Sequence, residues 1–120
     1  MSLNLKYADA TNHDIACPNC GGINLHHSLV TAFWRETEDA DYGLQVASGR
    51  PDESPRFQDI EESVKTTTSM AGNPSTRRDG VEIRFWCENC HALPRLLLAQ
   101  HKGTTELQWA TPVELSPEKK

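Results

Sequence analysis

The sequence predicts a small, mainly-β domain whose hydrophobic core is too thin to stand without a staple. Three observations lead there. The chain has 120 residues, of which 37% are hydrophobic, so it is one domain's worth of polypeptide with limited apolar surface to bury. Its apolar residues alternate along short runs, as in VEIRFW at 81–86, where Val81, Ile83 and Phe85 take turns with Glu82, Arg84 and Trp86. Its four cysteines form two C-x-x-C pairs, CPNC at 17–20 and CENC at 87–90, with sixty-six residues between them.

The cysteines decide what the staple is. The opening stretch MSLNLKYADATNHDI has neither a basic leader nor an apolar stretch, so the expected compartment is the cytoplasm, where thiols stay reduced and structural disulfides are rare. No apolar run approaches the length of a membrane span. Paired cysteines in that setting bind metals or do redox work. A redox C-x-x-C opens a helix in a βαβ context, which is lacking here. Two pairs that each reach one ion from a tight turn supply the four sulfurs of a tetrahedral zinc site. Iron in the same thiolate cage is the alternative ion. Pro18 presets φ after Cys17, and Gly21 and Gly22 let the chain turn back toward a strand. The second turn has His91 in place of that glycine, a residue that tolerates positive φ and also offers a competing ligand.

The remaining elements follow from pattern. After a polar lead-in at 1–15, INLHHSLVTAFW at 23–34 alternates as one long strand, or two broken by a bulge. Residues 36–79 change to acids, Ser, Thr, Pro and Gly and read as a long acidic insert, partly disordered. Inside it YGLQVA predicts a short strand. SPRFQDIEESVKTT predicts a helix capped by Ser54, with Pro55 in the first turn and Phe57, Ile60 and Val64 on one face. VEIRFW resumes the sheet and runs into Cys87. PRLLLAQ and TELQWA then form a hairpin about HKGT, with Gly103 at the turn. Residues 111–120 read as a frayed tail.

The order CPNCG, strand, excursion, strand, CENC, strand resembles the zinc-ribbon family, in which two cysteine turns clamp one zinc at the end of a small antiparallel sheet. The likeness covers about 17–34 and 80–110 of this sequence. RFWCENC followed by AQHKGTTELQW is also similar to small zinc-ribbon proteins of phages, plasmids and bacterial genomes, which implies no particular activity. The resemblance implies one four-cysteine zinc-ribbon domain over 16–110, with three to four antiparallel strands, structural Zn²⁺ on Cys17, Cys20, Cys87 and Cys90, and the insert at 36–79.

Function is less legible. No nucleophile has a recognisable setting, since Ser69 and Thr66 to Thr68 lie in a polar run, so neither catalysis nor a small-molecule substrate is expected. The net charge of −5 is concentrated between Arg35 and Asp79, where ten acids face six bases, and the expected partner is a protein bound through the acidic insert or the sheet edge. Nucleic acid is the alternative partner. It requires Arg77, Arg78, Arg84, Arg95 and Lys102 to gather beside an exposed Trp86, with Trp34 or Trp109 as a second stacking ring. The tryptophans otherwise belong to the core. A rubredoxin-like electron carrier is the third reading.

Overall fold

The structure, a computed structural model, describes residues 14–49 and 64–115. Eight strands run in chain order: β1 (Leu25–Arg35), β2 (Tyr42–Gly49), β3 (Val64–Ser69), β4 (Gly80–Cys87), β5 (Ala92–Leu93), β6 (Arg95–His101), β7 (Thr104–Trp109) and β8 (Glu114–Leu115). Six form one antiparallel sheet in the order β3-β2-β1-β4-β6-β7, and β5 pairs with β8 in a second, two-stranded one. There is no helix among the described residues. None is therefore long and apolar enough to cross a membrane.

The alternation read from the sequence becomes two unlike faces. Register places Phe33, Glu82, Arg84, Trp86, Arg95 and Glu106 on one side, and Val30, Ala32, Trp34, Leu44, Val81, Ile83, Phe85, Leu96, Leu98 and Trp109 on the other. Of the two readings of 23–34, the structure has the single long strand, Leu25–Arg35, and it carries a bulge as a register shift between His27 and Leu29. The β6–β7 hairpin turns through Lys102 and Gly103, both at positive φ, as HKGT predicted.

Among the described residues, the apolar face is sealed at one end. There Phe85, Leu96 and Trp109 are buried together, with Ile15 and Leu25 packed against them and the Phe85 and Trp109 rings edge-on at 5.8 Å. On the charged face, the loop from Met70 to Asp79 lies over Phe33, which is only 2% exposed, and buries Met70 and Ser75 with it.

Several expectations change. The sheet has six strands rather than three or four, because the region read as an insert supplies β2 and β3. The helix over 54–67 is overturned where it can be seen: Val64 to Thr67 are extended in β3, paired with Ala47 and Ser48 among others. Its remainder, Ser54 to Ser63, lies outside the described residues, as does 1–13 of the lead-in. The β-branched run VKTTTS favours a strand, and an existing β2 edge gives it a partner. The tail is seated as far as Leu115, since β8 pairs with Ala92 and Leu93 and Val113 packs against the cysteines.

Candidate metal centre

Each C-x-x-C turn is built by its own backbone. In the first, the Gly21 N–H donates to the Cys17 carbonyl at 2.8 Å and the Cys17 N–H to the Gly22 carbonyl at 2.7 Å. In the second, the His91 N–H donates to the Cys87 carbonyl at 2.9 Å. Gly21 and His91 occupy the same place in their turns and share the left-handed conformation, at φ 83° and 64°. His91 thus does the work of the expected glycine. It does not enter the ligand cluster: its ring stacks on Trp86 at 6.4 Å instead.

The two turns bring Cys17, Cys20, Cys87 and Cys90 together, with all four sulfurs within 4.8 Å of one another. Across the cluster, Cys17 Sγ lies 3.8 Å from Cys90 Sγ and Cys20 Sγ lies 3.7 Å from Cys87 Sγ. A disulfide needs about 2.05 Å, so these are four free thiols. A tetrahedron with metal–sulfur bonds of about 2.3 Å has edges of about 3.8 Å, which the observed spacings match. The donor set and its spacing therefore fit a tetrahedral divalent ion.

Burial grades the four. Cys87 is fully buried and Cys17 nearly so, while Cys20 is exposed. Burial pushes the Cys17 thiol up to about 12, against the Cys20 and Asn19 backbone N–H groups that favour its thiolate. At Cys20 the Gly22 N–H also favours the thiolate, but desolvation and the Cys90 and Cys87 sulfurs outweigh it and hold the thiol above its ordinary value. Burial opposes ionisation at Cys90 too, yet the Asn19 amide, the Ala92 N–H and the Cys20 and Cys87 thiols bring it down to about 7. Asn19 is the residue that sequence reasoning missed: its Nδ2 donates to Cys90 Sγ at 3.3 Å, from one turn to the other. An amide inside a C-x-x-C loop was the available signal.

A pH dependence follows. Metal ligands must be deprotonated, so a metal entering between pH 7 and 8 displaces protons from at least Cys17 and Cys20, both raised above 9. Apparent zinc affinity should therefore rise by at least ~100-fold from pH 7 to pH 8, and fall correspondingly on acidification. Competition with a chromogenic chelator at the two pH values measures this. A flat response would mean that these thiols are not the ligands.

The nominated cations do not gather. Arg77 pairs with Glu38 at 2.7 Å and Asp39 at 2.8 Å, and Arg78 with Glu38 at 2.8 Å. Arg95 and Arg84 share Glu82, at 2.8 and 3.6 Å. Lys102 stands at the tip of the β6–β7 turn. Trp86 is 41% exposed beside His26, at 5.3 Å, and His91. Trp34 is also exposed, but on the opposite face of the sheet, and Trp109 is buried, so no two tryptophans form one stacking surface.

Comparison with known proteins adds no identity: no family model, no curated protein and no solved structure matches this chain.

Proposed function

We propose that this chain is a non-enzymatic interaction module built as a four-cysteine zinc ribbon, with the ion in a structural role and a protein as its partner. The observation that carries the reading is the sulfur cluster at the end of the central β1–β4 pair, spaced as a tetrahedral ion requires. Zinc suits four thiolates, and with four protein ligands it keeps no position for water or substrate, so it folds the chain rather than catalysing a reaction. A protein partner is supported by β3, exposed along all six residues, whose outer side has no paired strand among the described residues and offers backbone groups for strand addition. The acidic loop at 36–41 borders the same end of the sheet. Pairing of four of the five nominated cations with carboxylates leaves the nucleic-acid reading without its electrostatic footprint.

Metal analysis of purified protein should find one zinc per chain in a colourless solution; visible thiolate-to-iron absorption would replace the reading with an electron carrier. A mobility-shift assay at low salt should show no retardation of nucleic acid, and salt-sensitive retardation would replace the protein partner with a nucleic acid.

A further inference from the structure

We infer that the open part of the apolar sheet face is a dimer interface, and that its occupant is a second copy of this chain. This deepens the interaction-module reading by naming a partner. Trp34, Tyr42, Leu44 and Val64 are large apolar residues at 54%, 54%, 45% and 38% exposure. Register puts three of them on one face: Trp34 is opposite Leu44, and Val64 is opposite Ser48 of the same parity, while a register shift between Tyr42 and Gln45 takes Tyr42 out of this alternation. Val30, Ala32, Val46, Val81 and Leu98 fill the surface between them, all partly exposed. The other end of this face is closed by Ile15. The patch is therefore one continuous apolar surface rather than scattered exposed residues.

Charge identifies the occupant. Every Asp, Glu, Lys and Arg in the six-stranded sheet, namely Arg35, Lys65, Glu82, Arg84, Arg95 and Glu106, falls on the opposite face. Nucleic acid or an anionic lipid surface would need unpaired cations here, and at the rim beside Trp34 Arg77 and Arg78 are paired with Glu38 and Asp39. A copy of the chain meets no charge on the strand residues of this face, and the ion pairs at its rim leave Glu38 and Asp39 already neutralised.

Shape and size agree. Beside Trp34 lies an open groove of 490 Å³ with Val81, Leu98 and Thr105 on its sheet side and Arg35, Glu38, Arg78 and Asp79 on its loop side, wide enough to receive an aromatic side chain. In a two-fold arrangement Trp34 of each copy enters the groove of the other, the self-complementary pattern of an isologous contact. Five strands about 4.8 Å apart, each open over at most about 20 Å, make a face of at most about 480 Å² per copy. A pair then buries at most on the order of 1,000 Å², the size of a weak, reversible interface. The product is two sheets packed face to face, the ordinary way for a one-sided sheet to bury its apolar side.

The zinc-loaded full chain should sediment at twice its 13.4 kDa mass at micromolar concentration. Leu44→Lys and Trp34→Lys should each raise the dimer dissociation constant at least ~30-fold, as loss of a central contact does. Both variants should keep one zinc per chain and an unchanged far-ultraviolet dichroism spectrum. Trp86→Lys, on the charged face, should remain a dimer. A monomer at 100-micromolar-order concentration that holds one zinc overturns the dimer and leaves the metal reading standing. A dimer that survives both Lys substitutions also overturns it, because association then runs through another surface such as the β3 edge.

Discussion

Replacing Cys87 with Ser should leave no folded protein. Cys87 ends β4, is fully buried, and pairs with Leu25 at the start of β1, so its sulfur sits where the central strands meet the cluster. A serine oxygen is shorter, harder and protonated at neutral pH, and does not replace a thiolate on zinc. Structural zinc binding contributes about 10–16 kcal/mol, whereas a domain of this size has about 5–15 kcal/mol of net stability in total. Bringing together two turns separated by more than sixty residues costs about 4 kcal/mol of chain entropy, which a structural zinc would offset several-fold. The variant should lose zinc, near-ultraviolet dichroism and cooperative thermal unfolding together. A Cys87→Ser protein that melts cooperatively would show that the sheet stands without its metal.

The second large effect is expected at Arg35. Its guanidinium donates to three carbonyls, those of Arg78 at 3.0 Å, Ser75 at 2.7 Å and Ala40, while its backbone N–H donates to Asp79 Oδ1 at 2.8 Å. One side chain thereby fastens both the 36–41 loop and the 70–79 loop to the end of β1. Ser75 carries the second loop onward, donating from Oγ to the Gln100 carbonyl at 2.9 Å. Truncation at Arg35 orphans three partly buried acceptors and loosens the cover over Phe33, so Arg35→Ala should cost about 3–5 kcal/mol. Arg35→Lys should recover little of this, because a single ammonium does not span three acceptors that a planar fork reaches. Urea unfolding of the two variants measures both effects. A midpoint unchanged in either variant would mean that the loops are held by other contacts.

How far the sequence could be read depends on how local each signal was. Strands β1, β4, β6 and β7 were legible because half-buried strands print their faces as alternation, and the two cysteine turns because ligand spacing is local chemistry. Strand β3 was hidden because Phe57, Ile60 and Val64 happen to fall at helical spacing, and the edge that makes VKTTTS a strand comes from β2, outside that window. The ordered start of the acidic insert, at 36–41, was not legible because the arginines that meet Glu38 and Asp39 lie 38 to 40 residues away, at 77 and 78. Strand β8 is a two-residue ladder, too short to carry any periodicity. Arg35 looked like one more charge at a strand end. Its role exists only once two distant loops converge on it.

The β1–β4 pairing gives the cysteine cluster one further consequence, concerning error rather than strength. These two strands are rich in interchangeable apolar residues, and such strands can mate out of step. A slip by one place would turn Cys87 to the wrong side of the sheet and carry its thiol away from the other three. Only the correct alignment completes the tetrahedron, so an ion bound there would act as a gauge that rewards one alignment of the sheet over its neighbours.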